Sequence, residues 1–238
     1  MFDPLELAKQ TEEIVCKSSG KKFYRFRPAK FYGGIATADC VGCCLRCLFC
    51  WSWNTVTQAD KVGKFYSPKE VANNLISIAR KHNFNQIRIS GNEPTIGFKH
   101  LLDILENLKN SKLKFILETN GILIGYNESY VKELSKYKDF LHVRISLKGT
   151  TPEEFSKLTG AKPEFFELQI QALKNLISAE IPCHPAVMIS FSQPESIERL
   201  RDRLETINHS LYDFEEETLL FYGDVKKRLD EAGIEFKS

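Results

Sequence analysis

Cys43, Cys47 and Cys50 stand in one loop at C-x-x-x-C-x-x-C spacing, with Phe49 immediately before the last. Three thiolates this close can hold three irons of a [4Fe–4S] cube, which proteins anchor through cysteine. No neighbour supplies an obvious fourth ligand, so one iron is left open for a small molecule. That open position separates a catalytic cluster from an electron carrier.

Five of the seven cysteines (Cys40, Cys43, Cys44, Cys47 and Cys50) fall within eleven residues, so other patterns can be drawn. A ferredoxin run fits Cys44, Cys47 and Cys50 but then needs cysteine where the chain has Asn54. Cys40/Cys43 and Cys47/Cys50 form two C-x-x-C knuckles, yet only three residues lie between them. A zinc ribbon places about 15–20 there. A disulfide framework suits small secreted chains, which this is not. Cys40, Cys44 and Cys47 repeat the favoured spacing, but the residue before their last cysteine is Arg46. An aromatic at that place can lie against a nucleoside base beside the cluster, which favours the set ending Phe49-Cys50. Cys40 and Cys44 are then bystanders.

Along the chain, short apolar runs alternate with amphipathic stretches. Strands are predicted at Gly34–Asp39, Gln86–Ser90, Lys114–Thr119, Phe140–Leu147 and Pro185–Ile189, and helices at Ser67–His82, Phe98–Asn110, Glu128–Lys136, Pro163–Ala179 and Pro194–His209. Ser67-Pro68 reads as an N-cap followed by proline in the first turn. Such alternation implies β-α-β units and a parallel sheet. Five or six units are too few for a closed eight-stranded barrel. The expected architecture is therefore α/β, a partial (β/α)6 TIM-like barrel with parallel strands and the cluster loop after the first strand.

Parity places the chemistry. His142, Arg144, Ser146 and Lys148 alternate with Leu141, Val143, Ile145 and Leu147, and Gln86, Arg88 and Ser90 alternate with Ile87 and Ile89. Helices cover the outer face of such sheets, so the polar set belongs to the concave interior. Active sites gather at the carboxyl ends of the strands. Here those ends read Ser90-Gly91-Asn92-Glu93-Pro94, Glu118-Thr119-Asn120-Gly121 and Ser146-Leu147-Lys148-Gly149.

With the cysteine loop and these termini together, the chain resembles the radical S-adenosylmethionine (radical SAM) enzymes over roughly residues 34–190. Gly91-Asn92-Glu93-Pro94 looks like their G-G-E-P segment, with Asn92 replacing the second glycine. Within the superfamily it is most similar to the pyruvate formate-lyase activating enzymes. Glu118-Thr119-Asn120-Gly121 resembles their D-T-N-G, and Ser146-Leu147-Lys148 through Pro152 to Thr159-Gly160 resembles their D-x-K…P…T-G segment. Ser146 stands in place of their aspartate, and Phe155 in place of their usual histidine.

The resemblance implies an iron–sulfur metal site of Cys43, Cys47 and Cys50, with S-adenosylmethionine chelating the open iron through its amino nitrogen and carboxylate. A low-potential donor of ferredoxin or flavodoxin type would deliver one electron. Methionine and a 5′-deoxyadenosyl radical would follow, and the radical would take hydrogen from a substrate, with glycyl-radical activation of a protein as the subfamily reading. The segment Gly91-Asn92-Glu93-Pro94 is expected at the methionyl ammonium, through Glu93 and the Gly91/Asn92 backbone. Thr119, Asn120, Ser146 and Lys148 are expected at the ribose hydroxyls and carboxylate, Phe49 and the Trp51 backbone beside the adenine, and Val187 with Met188 at the pocket floor. A methionine on a strand is also an ordinary gap-filler. The other class of reading is a non-enzymatic cluster or zinc module for electron transfer or partner binding. It would require Cys40 or Cys44 as a fourth ligand.

The remaining features read plainly. The 238 residues carry 33 basic and 31 acidic side chains, a net charge of +2, so no global field draws the chain to nucleic acid or membrane. One domain is expected, residues 1–238, with an N-terminal extension and C-terminal β/α elements. The N-terminus lacks a signal-type apolar region, and clustered thiols suit a reducing cytoplasm. Cys16 and Cys183 are isolated, and His82, His100 and His209 are expected on the surface. His142 and His184 are candidates for substrate contact. Lys21–Lys30 interleaves basic and aromatic residues, as single-strand nucleic-acid binders do, but reads better as a solvated edge strand. Glu215–Glu217 reads as a solvated face. No cysteine follows Cys183, so an auxiliary cluster has no ligands there.

Overall fold

The computed structural model describes residues 1–236. Its strands are β1 (Cys16–Lys17), β2 (Gly20–Ala29), β3 (Ile35–Cys40), β4 (Lys64–Tyr66), β5 (Gln86–Ser90), β6 (Lys114–Thr119), β7 (Leu141–Leu147), β8 (Cys183–Met188) and β9 (Glu215–Glu217). Its helices are α1 (Pro4–Val15), α2 (Trp53–Thr57), α3 (Pro68–His82), α4 (Phe98–Leu108), α5 (Ile122–Tyr126), α6 (Glu128–Leu134), α7 (Pro152–Thr159), α8 (Phe166–Ser178), α9 (Pro194–Glu205) and α10 (Val225–Glu231). The sheet runs β1-β2-β3-β5-β6-β7-β8-β9, and β4 pairs with β2. From β3 to β9 every ladder is parallel, giving six parallel strands. Among the described residues no ladder joins β9 to β1 or β2, so the barrel is partial, as the alternation predicts.

Local chemistry fixes the helices that frame it. At α3 the Ser67 hydroxyl accepts from the Glu70 amide and the Glu70 carboxylate accepts from the Ser67 amide, a reciprocal cap with Pro68 behind it. Asn83, at φ 55°, ends that helix in the left-handed region. Ile87, Ile89, Phe115, Leu117, Val143, Ile145 and Leu147 turn outward and pack with Leu75, Leu101, Leu105, Ile170 and Leu173 of the helix layer in one core. Their polar alternates face inward. A small apolar plug of Ala29, Ile35 and Ile116 fills the amino end of the interior. α5 lies so close to α8 that a Cβ on Gly125 would fall 1.9 Å from the Leu168 carbonyl oxygen, and only glycine permits that approach.

Several expectations change. Lys21–Lys30 is a solvated edge only in its second half: at Lys21–Phe23 β2 is flanked by β4 on one side and by β1 and β3 on the other, whereas Arg25–Ala29 pairs with β3 alone. Lys21 is only 2% exposed, and its ammonium donates to the carbonyls of Glu93 (3.0 Å), Pro94 (3.0 Å) and Ile96 (2.5 Å). Lys22, also buried, donates to the carbonyls of Ala59 and Asp60, both at 2.8 Å. Glu215–Glu217 forms the sixth parallel strand, with Glu215 and Glu216 exposed and Glu217 half-buried. His100 is buried rather than exposed: its Nε2 lies 2.9 Å from the Tyr66 carbonyl, and burial pushes its pKa down to about 4. The helix expected to His209 ends at Glu205, and the one expected from Pro163 begins as a 3-10 turn, Pro163–Phe165, before α8. No helix among the described residues is long and apolar enough to cross a membrane.

Candidate active site

The carboxyl ends of the parallel strands open into a cavity of about 670 Å³. Cys43, Cys47 and Cys50 line it, with Phe49 and Trp51 beside them. Cys40 and Cys44 do not; both are fully buried in the wall behind. The backbone therefore offers one set of three thiols to the cavity, the set ending Phe49-Cys50.

Several distant segments hold this loop. The amides of Arg46 and Leu48 donate to the carbonyls of Thr159 (3.1 Å) and Leu158 (2.9 Å), at the end of α7. From α10, Arg228 donates to the carbonyls of Leu48 (3.0 Å) and Cys50 (2.6 Å) and rests on the Trp53 ring at 4.7 Å. Arg46 folds back to the carbonyls of Cys43 and Leu45. Phe49 packs on Phe191 with ring centroids 5.6 Å apart, and the Lys148 ammonium sits 5.8 Å from the Phe49 ring.

Three thiols from one loop facing one cavity are a donor set of the kind that anchors a [4Fe–4S] cube. Among the described residues no three His, Cys, Asp or Glu side chains gather for one metal ion. Zinc requires its ligands on one centre at about 2.0–2.3 Å, whereas a cube spreads three thiolates over three irons. Burial pushes the Cys50 thiol up to about 11 and Cys47 further, while a hydrogen bond from Cys44 holds Cys43 below the ordinary thiol value. Bound iron supplies the positive charge that ionises such buried thiols.

Beside the loop, Gly91 turns at φ +99°, and a Cβ there would stand 3.2 Å from the Asp39 Cα. Glycine lets the Gly91–Pro94 segment cross the end of β3 closely. Asn92 bridges the segment to the cluster loop: its Oδ1 accepts from the Gly42 amide (2.8 Å) and the Thr55 hydroxyl (2.9 Å). Glu93, 1% exposed, accepts from the Thr95 amide and hydroxyl, the Thr119 hydroxyl (2.7 Å) and the Asn120 amide (2.8 Å). This carboxylate, expected at a ligand ammonium, instead ties the ends of β5 and β6 together. Thr119 is likewise turned to Glu93, and the Asn120 side-chain amide donates to Cys44 Sγ at 3.3 Å. Both still border the cavity, as do Gly91, Asn92 and Glu93. Pro94 does not line it.

Across the cavity stand Ser146 and Lys148 of the β7 end. The Lys148 ammonium donates to the Ser146 hydroxyl (2.5 Å), which donates to Glu217 of β9 (3.0 Å). Where the activating enzymes carry aspartate after β7, the nearby carboxylate here comes from β9. Burial opposes the Glu217 charge, but Lys148 and Arg144 outweigh it and hold its pKa below the ordinary value. Arg144 also grips Glu215 at 2.8 and 2.9 Å. The bond from His184, then that from Arg144, holds Glu215 down at about 2. His142 and His184 lie off the cavity and contact each other at 2.6 Å. Gln169, fully buried on α8, donates to the carbonyls of Asn120 (2.6 Å) and Ser146 (3.0 Å) and so locks two strand ends. Sequence reasoning missed it, although a glutamine within the apolar stripe Phe166, Ile170, Leu173 is a legible signal.

Val187, expected at the floor, is excluded by parity. It pairs with Leu147 and turns into the outer core, leaving Met188 on the cavity wall. Phe155, in place of the activating enzymes' histidine, is fully buried against Phe166.

Comparison with known proteins agrees with this geometry. A "Probable GTP 3',8-cyclase" of Methanococcus aeolicus is 31% identical over 132 residues, covering 54% of this chain and 42% of that protein. One of Methanosarcina mazei is 30% identical over 171 residues, covering 71% and 46%. The chain thus spans less than half the length of these curated relatives. They are named for a cyclase, so they lend no support to the activating-enzyme subfamily. Streptococcus suis SuiB bound to S-adenosylmethionine shares the fold with a TM-score of 0.62 at 21% identity, over 81% of this chain and 45% of that one. The structure of anSMEcpe with bound AdoMet does so at 0.53 and 22%, over 75% and 47%. The profile of the Radical SAM superfamily matches residues 39–204, from the end of β3 to the last turn of α9. The chain therefore belongs to the radical SAM superfamily, and a [4Fe–4S] cluster and S-adenosylmethionine are its cofactors.

Proposed function

We propose that this chain holds a [4Fe–4S] cluster on Cys43, Cys47 and Cys50 and uses S-adenosylmethionine to take a hydrogen atom from a substrate bound in the same cavity. The observation that carries this reading is the confinement of those three thiols to a cavity whose far wall bears Ser146 and Lys148, with Cys40 and Cys44 buried behind it. Held by Cys43, Cys47 and Cys50, the cluster would supply the single electron for reductive cleavage of the sulfonium to methionine and a 5′-deoxyadenosyl radical.

The chain's own residues bind, orient and shield. Lys148, a compact cation beside Phe49, suits the cofactor's carboxylate. Its link through Ser146 to Glu217 keeps it pointed across the cavity. Phe49 and Trp51 offer aromatic surface to the adenine from the loop that carries Cys50. Glu93 acts at one remove, holding Thr119 and Asn120 at the rim. The Gly91 and Asn92 backbone is left to meet the methionyl ammonium. Arg228 and the end of α7 brace the loop that carries the three thiols. A low-potential ferredoxin or flavodoxin fits the electron requirement. Glycyl-radical activation, the subfamily expectation, finds no support in the relatives' names, and cyclisation of a nucleotide is a property of those longer proteins.

Anaerobic reconstitution with iron and sulfide, then dithionite reduction with S-adenosylmethionine, tests the reading. The expected product is 5′-deoxyadenosine together with methionine. An intact cluster that binds the cofactor yet yields neither would overturn it.

A further inference from the structure

The Lys21–Lys30 segment puts two arginines into the cavity that the cofactor chemistry does not use. β2 pairs with β3 so that Arg25 stands opposite Asp39 and Arg27 opposite Thr37, and both arginines line the cavity. Each donates through Nε to Asp39 Oδ2, at 2.7 and 2.8 Å, and Arg27 adds a bond to Oδ1 at 3.3 Å. Asp39 itself is fully buried.

The charge balance around the wall is uneven. Arg88 is matched by Glu118, and it lies over the Phe31 ring. Arg144 and Lys148 face Glu215 and Glu217, Glu216 is paired with Arg201, and Glu93 is held by neutral donors. Arg25 and Arg27 share one carboxylate, which leaves a net positive charge on the β2 side. Of the pair's roughly ten N–H donors, three reach Asp39. Arg25 also touches Tyr24 and lies 5.8 Å from the Trp51 ring, so this corner adjoins the cluster loop. The side chains are 43% and 24% exposed, open enough to meet a solute. Strands β3, β5 and β6 separate them from Lys148 on β7, the cation assigned to the cofactor.

We propose that Arg25 and Arg27 form an oxyanion-binding subsite for the substrate, so that the molecule giving up hydrogen carries a phosphate or carboxylate group. Guanidinium forks recognise such planar or tetrahedral oxyanions through paired N–H donors. Asp39 is a positioning residue, fixing one edge of each fork and leaving other edges for the ligand. Held by its charge against β2, the substrate would lie across the cavity beside the cofactor. The proposal rests on the radical reading only for that neighbour.

The test is calorimetric titration of the anaerobically reconstituted full chain, saturated with S-adenosylmethionine. Inorganic pyrophosphate and succinate serve as separate probes for the phosphate and carboxylate sources. The expected result is saturable binding of at least one probe with the cofactor still bound. Arg25→Gln and Arg27→Gln should each weaken it tenfold or more, Arg27→Lys by less, and surface Lys99→Gln not at all. Binding of neither probe, or wild-type affinity in both Arg25→Gln and Arg27→Gln, would overturn the proposal. Measuring 5′-deoxyadenosine in the same preparation separates the two readings. Product without anion binding removes only the subsite, whereas anion binding without product removes only the radical chemistry.

Discussion

Cys43→Ser, Cys47→Ser and Cys50→Ser should each abolish formation of 5′-deoxyadenosine, while Cys40→Ser and Cys44→Ser should retain it. Each of the first three removes one of the thiols that line the cavity, and a serine hydroxyl is a poor substitute for a soft thiolate on iron. Cys40 and Cys44 sit behind the wall, where serine exchanges one small buried group for another. Cys44→Ser should be the less innocuous of the two, since Cys44 accepts from Asn120 and donates to Cys43. The measurement is iron and sulfide content alongside product yield. A Cys43→Ser protein that keeps full cluster and activity while Cys40→Ser loses both would move the ligand set upstream.

Glu93→Ala should have the largest effect on stability. Four donors from Thr95, Thr119 and Asn120 converge on this nearly inaccessible carboxylate. A buried donor left without a partner costs about 1–3 kcal/mol. Partial relaxation brings the total for the group to roughly 3–5 kcal/mol, the range seen when one side of a buried charged contact is removed. For a domain of this size that lowers Tm by about 10 °C. The same loss should free the Thr119-Asn120 turn and weaken S-adenosylmethionine binding. Glu93→Gln, which keeps one acceptor, should fall between. Unchanged Tm in the alanine variant would mean that the Gly91–Pro94 segment is held by Lys21 and Asn92 alone.

The contrast between Glu93 and Cys50 shows what could be read from the chain. The expected cysteine register rests on one local fact, the aromatic before the last thiol, and the three thiols it singles out are the ones that line the cavity. Strand parity was legible for the same reason: alternation is a property of adjacent residues, and the apolar set of β5 and β7 packs outward as it predicts. Roles that depend on distant partners were not legible. Nothing near Lys21 indicates that its ammonium will be buried beneath three carbonyls more than 70 residues away. Flanking charge marked that segment as an edge, which holds for Arg25–Ala29, whereas β1 and β4 flank its first residues. Glu215–Glu217, read as solvated, pairs with Arg144 across 71 and 73 residues of sequence. Ser146 looked like a loss of the expected carboxylate, yet Glu217 stands beside it from another strand. Val187 and Met188 differ by one position, and register against β7 decides which of them meets the cavity.

Electron paramagnetic resonance of the reduced, oxygen-free protein tests the central claim most directly. A cube with three cysteine anchors and one open iron should give a [4Fe–4S] signal whose g-values shift when S-adenosylmethionine is added, in the wild type and in Cys40→Ser alike. A cluster signal indifferent to the cofactor, or a protein that retains zinc and no iron, would contradict it.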